Sequence, residues 1–360
     1  MKPNIKNERI KRRFFRWLKE ANGCCEATAG NVEKALSLYE DFTGYADFAS
    51  YNPNTAIEFK KRLKERKYRG KTISLTTYHG YLKNIKKFFL WLSWQDGYKS
   101  KIKPDMVDYL NISDKEERIA RQTKPINYPS LDYVIKLTDS IAVNTEVDSR
   151  DRALISFTLL SGMRVKSIAT LPLGCFDEET QTINQDPRLG VQTKFSKCNR
   201  SVLFNFDDKL VKHVTGWISY IKARGFGSRD PLFPRSKIRQ EENGLSFEDS
   251  LEIEPVYWQG TGSIRKIFKK RSREAGLPYF SPHTFRHLAV DLAIQNCRTG
   301  EQIKAVSQNF GHEYIATTFS SYGNYDQNRL TGIIKKMDFS GKPSMPEAQK
   351  LELIRNIANS

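Results

Sequence analysis

The sequence predicts a mainly α-helical protein of the α+β class, with two domains and a small β-sheet in the second domain. Three observations support this prediction. The 360 residues are enough for two domains of ordinary size. Apolar residues recur at helical spacing along most of the chain. Residues 189–206 alternate instead, around a centre rich in lysine and asparagine, as expected of a β-hairpin.

The first domain is predicted to be all-helical. We assign residues 1–22 to a basic N-terminal segment with a helix over 8–22, because eight of the first twenty residues are lysine or arginine. A helical domain follows over 23–113. Its helices are predicted at 29–46, 54–66 and 74–95.

The helix over 74–95 carries a stripe of aromatic and aliphatic residues, which we interpret as the core of a helix bundle. The opposite face carries three lysines that could lie along a nucleic-acid backbone. These lysines are Lys83, Lys86 and Lys87.

A charged segment with two prolines near its end, residues 114–129, is predicted to be the linker between the domains. The second domain spans 130–335 and begins with a buried helix over 148–161. Beyond the hairpin, helices are predicted at 207–223, 261–275, 282–296, 300–309 and 314–329. A tail over 336–360 includes a last amphipathic helix, 345–359, which could dock on a neighbouring protomer or fold back. We favour the neighbour.

The charge balance indicates a polyanionic partner. There are 59 lysines and arginines against 41 acidic residues, a formal net charge of +18. Nucleic acid is the first candidate and an acidic membrane surface the second. No run approaches the ~20 apolar residues of a membrane span, and the charged N-terminus does not resemble a signal peptide. Five scattered cysteines without a CxxC pair suit a reducing cytoplasm.

Six residues in the second half of the chain could together bind and attack a phosphate diester, although each has an ordinary explanation alone. Arg164 could be a surface arginine, the histidines could be capping residues, and the lysine a solvated turn residue. Their combination and order favour a site for DNA strand transfer, in which side chains supply the cations. The six are Arg164, Lys194, His283, Arg286, His312 and Tyr322.

The string SPHTFRH predicts the start of a helix, with Ser281 as N-cap and Pro282 at the first position. His283 and Arg286 then share one face of the first turn, where exposed N–H groups favour anions. The spacing of the two histidines also fits a helical zinc protease. Thr284 stands where that motif needs a glutamate, so we reject this alternative.

The order of these motifs resembles the catalytic domain of the tyrosine recombinases, the phage-integrase family of site-specific DNA recombinases. SGMRVKSIATLPL is similar to the family's first arginine box, and Lys194 to its hairpin lysine. PHTFRH matches the His-x-x-Arg box, and GHEYIATTFSSY the closing box with the nucleophilic tyrosine. The likeness covers about 130–330. The region near 30–112 resembles the family's core-binding domain in pattern only. The two likenesses together imply a two-domain clamp on double-stranded DNA.

Two positions depart from the family's pattern. Ser167 stands where the family often has an acidic residue, three positions after the first arginine. This leaves open how Arg164 is braced. The hairpin offers two lysines; the spacing to Val202 favours Lys194, and Lys197 remains a competitor.

The resemblance implies that Tyr322 attacks the scissile phosphate, giving a 3′-phosphotyrosyl DNA and a free 5′-hydroxyl. Arg164 and Arg286 would hold the non-bridging oxygens, and Lys194 would protonate the leaving oxygen. His283 would accept a proton or donate a hydrogen bond, and His312 would donate to the phosphate. No metal, ATP or other cofactor is expected, so cleavage should proceed in EDTA. A type IB topoisomerase-like enzyme and an inactive sequence-specific DNA-binding protein are the alternatives.

The implied partner is double-stranded DNA, with a homotetramer on DNA and a monomer or dimer when free. The segment 1–20 could be an arm that reaches accessory DNA sites or an amphipathic surface helix. Basic residues crowd the predicted helix over 261–275, and we expect phosphate contacts from them. They are Arg265, Lys266, Lys269, Lys270, Arg271 and Arg273.

Overall fold

The computed structural model describes residues 3–68, 70–121, 126–240 and 247–313, and nine further positions from 316 onwards. The chain divides into two compact units, 1–123 and 124–360. This boundary falls inside the segment that we predicted as a linker.

The first unit is built from helices that begin at polar capping residues. The side chains of Asn4, Asn52 and Ser74 accept hydrogen bonds from the first-turn N–H groups of α1, α3 and α4, defined next. The helices are α1 Ile5–Arg16, α2 Glu26–Thr43, α3 Pro53–Glu65, α4 Leu75–Leu92, α5 Pro104–Val107 and α6 Asp114–Arg121. A short antiparallel pair, β1 Lys67–Tyr68 and β2 Lys71–Thr72, corrects the all-helical prediction.

Aromatic rings fill the core of the first unit, as the stripe on α4 predicted. Phe88 and Phe89 are fully buried, and Phe88 meets Phe14 and Phe48 edge to face, with centroids 5.0 and 4.8 Å apart. Such edge-to-face pairs are a favoured packing of aromatic quadrupoles. Tyr51 stacks on Phe89 at 4.1 Å.

Two of our boundary predictions need correction. Residues 1–22 are not a separate segment, because Ile10, Phe14 and Leu18 are buried in the core of the first unit. Of the two interpretations of this segment, the amphipathic helix is therefore the one observed. The linker prediction is wrong for 114–121, which form α6. Lys64 bonds Glu116 across 2.7 Å, and Ala120 is buried.

The second unit is mainly helical, with two small antiparallel sheets. Its helices are α7 Leu131–Asp139, α8 Glu146–Ser161, α9 Val165–Ala169, α10 Asp208–Ala223, α11 Gly262–Glu274, α12 Pro282–Gln295 and α13 Gly300–Asn309. Its strands are β3 Phe176–Asp177, β4 Thr182–Gln185, β5 Asn199–Val202, β6 Ser236–Gln240 and β7 Phe247–Ile253. The sheets have the orders β3-β4-β5 and β6-β7.

The hairpin that we predicted over 189–206 begins earlier in the structure. Its first strand is β4, and the register pairs Thr182 with Val202 and Gln185 with Asn199. The connecting loop therefore runs from 186 to 198 and carries both candidate lysines. The β6-β7 pair was not predicted.

Helix α8 is the centre of the second unit and is buried along nearly all of its length. The helices α7, α10 and α12 pack around it. It ends at Gly162, whose φ of 54° is left-handed and costs glycine little. This sharp ending turns the chain towards Arg164.

A buried ionic cluster joins α8 to α11. The guanidinium of Arg150 donates to Asp151 at 2.7 Å, and Arg271 donates to Asp151 and Asp148 at 2.8 and 2.7 Å. Burial opposes the charge of Arg271, but these carboxylates raise its pKa on balance. Our assignment of Arg271 to the DNA-contacting surface is thus wrong, because its side chain is inside the protein.

Some predictions lie outside the described residues. They include most of the tail helix over 345–359, of which Ala348, Leu351, Ile354 and Arg355 are described and helical. They also include most of the helix over 314–329, of which Ala316 and Thr318 are described and helical. Within the described part of the chain, no helix is long and apolar enough to cross a membrane.

Candidate active site

A cavity of about 180 Å³ lies where the end of α8, the β4-β5 loop, α12 and the turn after α13 come together. Four of the six candidate residues line it, together with the competing lysine and several uncharged polar groups. The basic residues are Arg164, Lys194, Lys197, Arg286 and His312. The other polar residues are Ser167, Gln185, Thr193, Asn199 and Glu313.

Arg286 is at the base of the cavity and only 2% exposed. It follows Pro282 by four residues, so it lies one turn inside α12. One terminal nitrogen, Nη1, donates to the carbonyl of Gly162 at 2.6 Å. The other, Nη2, donates to the carbonyl of Phe310 at 2.8 Å and to Nε2 of His312 at 2.9 Å. A buried guanidinium held at three points presents its charge in one fixed plane.

Arg164 is the N-cap residue of the short helix α9, and its carbonyl accepts from the N–H groups of Ser167 and Ile168. Its side chain is half-buried at the cavity wall and makes no hydrogen bond or ion pair with the part of the chain that the structure describes. An arginine held in a pocket with its donors uncommitted is suited to an anion.

Ser167 replaces the acidic residue that the family often has, and it does not brace Arg164. Its hydroxyl donates to the carbonyl of Gln192 at 3.0 Å. The hydroxyl of Thr170 accepts from the N–H of Gln192 at 2.8 Å. These two bonds fasten α9 to the loop that carries the lysines.

The two lysines of the β4-β5 loop differ in their partners. Lys194 opens a 3-10 turn in which Phe195 and Ser196 have φ values of 60° and 52°. Its ammonium lies 4.8 Å from the Phe195 ring centroid, a local cation–π contact. Lys197 is instead ion-paired with Glu313, beside His312. Of the two, Lys194 is therefore the less committed.

His312 is buried, and both of its ring nitrogens have partners. Nε2 meets Nη2 of Arg286, and Nδ1 lies 2.9 Å from the hydroxyl of Thr318. That hydroxyl donates to Oγ of Ser307 at 2.9 Å. Burial, and then the charges of Arg286 and Arg164, lower the pKa of His312 to about 3. The ring is neutral at pH 7.

His283 is exposed and does not line the cavity, but Arg286 and Arg164 are close enough to act on its charge. Desolvation first and these two cations second lower its pKa. Its ring meets that of His287 edge to face at 5.0 Å. His287 was not a candidate from the sequence; it is 6% exposed, and burial lowers its pKa to about 4.

Tyr322 lies outside the described residues, so the distance from its phenol to the cavity stays a prediction. The described residue nearest before it is Thr318, which is 2% exposed and bonded to His312 as above.

Some of the predicted DNA-contacting residues are exposed, whereas others are held by contacts within the protein. Arg265, Lys266, Lys269 and Lys270 are exposed on α11, as a phosphate-binding surface requires. In the first unit Lys83 is exposed. Lys86 instead bonds Asp108 and Asn111, at 2.8 and 2.7 Å. Lys87 lies 5.8 Å from the ring centroid of Trp17.

Comparisons with known proteins agree with this fold. The model of the phage integrase family matches residues 135–329. A lambda integrase dimer bound to a COC' core site superposes with a TM-score of 0.60 at 12% identity, covering 94% of this chain and 99% of that chain. The XerH site-specific recombinase bound to its difH substrate gives 0.56 at 17% identity, covering 91% and 85%.

A third solved structure, the Tn1549 transposon integrase in complex with transposon right end DNA, gives a TM-score of 0.57 at 16% identity, covering 91% of this chain and 99% of that chain. At these identities the structural likenesses carry the fold alone, and they confirm the predicted fold class. A comparison with curated protein sequences gives no match.

Proposed function

Because the chain belongs to the phage integrase family and is thereby a tyrosine-type site-specific recombinase, we propose that it cuts and rejoins DNA through a covalent 3′-phosphotyrosyl intermediate. The observation that carries this proposal is the convergence of Arg164, Lys194, Arg286 and His312 on one small cavity. These residues are scattered over almost 150 positions of sequence, and DNA strand transfer is the chemistry that needs all of them together.

The cavity suits a phosphate diester by charge. Arg164, Arg286 and Lys194 line a space in which the one carboxylate among the described residues, that of Glu313, is ion-paired with Lys197. Fixed cations around a developing dianionic phosphorane stabilise the transition state without reorganisation. Two guanidiniums also match the paired non-bridging oxygens, which lysines in their place could not.

In the proposed reaction the phenolic oxygen of Tyr322 attacks the scissile phosphorus, and the bond from phosphorus to the 5′-oxygen breaks. The phenol loses its proton to His283, which is neutral because its pKa is lowered. The leaving 5′-oxygen takes a proton from Lys194. Attack by another 5′-hydroxyl reverses these steps and reseals a strand. Each phosphate ester bond that breaks is replaced by another, so the phosphorus remains a diester and no ATP is consumed.

We also propose that the active assembly is a homotetramer on two DNA duplexes. A lambda integrase tetramer bound to a Holliday junction superposes on 86% of this chain with a TM-score of 0.57. The basic surface of α11 and Lys83 would hold the DNA backbone, and the tail over 336–360 would dock on a neighbouring subunit.

The test is a nicked suicide duplex made from the end of the mobile element that carries the gene. Wild type should form a covalent protein–DNA adduct in EDTA, and Tyr322→Phe should form none. Tyr325→Phe, three residues further along the chain, is the matched control and should retain the adduct. If wild type formed no adduct on a duplex that it binds specifically, the result would indicate an inactive, sequence-specific DNA-binding protein. Relaxation of plasmids without that sequence would indicate a topoisomerase.

A further inference from the structure

A groove in the first unit brings together aromatic and basic side chains that the proposed reaction does not use. It is formed by the end of α1, the helical turn Trp17–Ala21 and the C-terminal end of α4, and its volume is about 850 Å³. Its main lining residues are Trp17, Trp91, Trp94, Arg13, Arg16 and Lys87. Three of the five tryptophans of the chain therefore meet at one surface.

Two of these indole rings are held in place by the core. The ring centroids of Trp17 and Trp91 are 6.2 Å apart, with 38° between the ring planes. Phe14, which is fully buried, contacts both rings, with centroids 5.8 and 5.1 Å away. Both tryptophans are half-buried. A part of each fixed ring therefore remains accessible from the groove.

The third ring, that of Trp94, is 74% exposed. The tryptophans of the second unit differ, because Trp217 and Trp258 donate their indole N–H groups to carbonyl oxygens at 2.9 and 2.6 Å. In the part of the chain that the structure describes, no acceptor bonds the indole N–H groups of the three groove tryptophans. An exposed ring beside two partly exposed rings forms a contiguous apolar patch, and such patches are typical of binding sites.

Positive charge accompanies the indole rings. Arg13 and Arg16 are exposed, and Lys87 is half-buried. The ammonium of Lys87 lies 5.8 Å from the ring centroid of Trp17. None of the three cations forms an ion pair with a carboxylate of the described residues. Among those residues, Glu20 is the one acidic side chain that lines the groove. The charge balance of the groove therefore favours an anionic ligand.

An unpaired DNA strand matches both kinds of side chain, since every nucleotide carries a planar base and a phosphate. In a duplex the faces of the bases are covered by their neighbours in the stack, so a duplex would use the cations and leave the indole faces unused. An acidic peptide would also satisfy the cations, but it offers the indole rings a planar partner only where it carries an aromatic residue. The combination favours single-stranded DNA.

We propose that the groove binds single-stranded DNA, with a base stacked on Trp94 and with phosphates held by Arg13, Arg16 and Lys87. Aromatic faces beside a basic groove are the means by which proteins bind single strands without reading their sequence. This activity goes beyond the proposed function, which concerns duplex DNA. A strand end released by cleavage would be such a ligand. That use rests on the proposed function, whereas the binding does not.

The test compares two affinities of the full chain, measured by fluorescence anisotropy. One ligand is a labelled oligothymidylate, and the other is a duplex of the same length and arbitrary sequence. Trp94→Ala should weaken binding of the oligothymidylate about 5- to 150-fold, the range for the loss of one base–aromatic stack, and leave the duplex affinity unchanged. Trp94→Phe should retain most of the affinity, because a phenyl ring still stacks on a base.

The matched control is Tyr109→Ala. Tyr109 is another exposed aromatic residue of the first unit, and it does not line the groove. Both affinities should equal those of wild type in this variant. A loss on the oligothymidylate as large as that of Trp94→Ala would show that exposed aromatic rings contribute wherever they lie, and would overturn the assignment to the groove.

Salt dependence separates the phosphate contacts from stacking. Arg16→Gln should lower the slope of log affinity against log salt concentration by about 0.7 for the oligothymidylate, the value per phosphate contact on a single strand. Trp94→Ala should lower the affinity at every salt concentration and leave the slope unchanged. An unchanged slope in Arg16→Gln would refute the phosphate contact.

Other outcomes would assign the groove to a different occupant. Equal losses on both ligands in Trp94→Ala would place it in the duplex-binding surface. An unchanged oligothymidylate affinity in Trp94→Ala, with weaker self-association in sedimentation, would make it an interface between copies of this chain. Either result overturns the proposal. Tyr322→Phe, for which no covalent adduct is expected, should bind the oligothymidylate as wild type does, so failure of the adduct assay would leave this result standing.

Discussion

Replacement of Gly162 by alanine tests how the end of α8 builds the cavity. Gly162 has a φ of 54°, and its carbonyl accepts from Arg286. A methyl group there would overlap Cε1 of Phe310 and come within 3.0 Å of Cδ1 of that ring and 3.4 Å of Cβ of Ala289. The space is closed on two sides, so the side chain of Phe310 or the backbone must move.

The expected loss of stability has two parts. A left-handed conformation costs alanine about 1–2 kcal/mol relative to glycine. Forcing a methyl group against a packed ring costs about 1–3 kcal/mol more. Gly162→Ala should therefore lower the free energy of unfolding by about 2–5 kcal/mol, and it should also slow DNA cleavage because the carbonyl that holds Arg286 is displaced.

The matched control is Gly276→Ala. Gly276 has a φ of 65° and no atom within 4 Å of the added methyl group, so only the conformational cost applies. Chemical denaturation should show a loss of about 1–2 kcal/mol for this variant and an unchanged cleavage rate. If Gly162→Ala were no more destabilising than Gly276→Ala, the argument from the Phe310 contact would be refuted.

Three further predictions concern the charged groups. Lys194→Ala should slow adduct formation by about 10²–10⁴-fold, and a substrate with sulfur in place of the leaving 5′-oxygen should restore the rate. Lys197→Ala should slow adduct formation less than about tenfold, because Lys197 is paired with Glu313. Arg164→Lys should slow cleavage about 10²-fold in single-turnover kinetics and leave the DNA affinity in gel shifts nearly unchanged, because lysine keeps the charge but lacks the paired N–H donors of the guanidinium. Equal cleavage rates for Arg164→Lys and wild type would contradict the bidentate role. Acid should destabilise the protein, because the folded-state pKa of His287 is about 4 and that of His312 about 3, both below the unfolded value. The stability that the two neutral histidines contribute is present above pH ~6.5 and falls towards pH 4, by about 1 kcal/mol per histidine between pH 7.5 and 5.5. Urea titrations in which His287→Gln showed the wild-type dependence of the free energy of unfolding on pH would count against the role of His287.

Sequence patterns located the long helices well, since their starts carry strong local signals. Ser74 and Asp207 cap helices through their own side chains, and Pro282 opens α12 as predicted. The segment 114–121 misled us because α6 is almost wholly polar, and it is held to the first unit by a few contacts such as Thr76 to Ala120. Tertiary contacts, which composition does not report, decide such a helix.

In the candidate site, too, local patterns predicted some features and tertiary contacts decided the others. Arg164, Lys194, Arg286 and His312 were predicted as site residues from motif order, and in the structure they line one cavity. The partners that set their states could not be found in that way. The ion pair between Lys197 and Glu313 joins residues 116 positions apart, and their proximity depends on how the β4-β5 loop meets the turn after α13. No local pattern encodes that meeting.

The buried ionic cluster between α8 and α11 limits which substitutions this sequence can accumulate during evolution. Removing Arg271 alone would leave Asp151 with Arg150 as its one remaining guanidinium and would take the guanidinium from the half-buried Asp148, and breaking a buried ion pair typically costs about 3–5 kcal/mol. Replacing the whole cluster with apolar residues of similar volume can be neutral. Descendants of this chain should therefore keep the cluster intact or lose its members together, and sequences that retain one half of it should be rare.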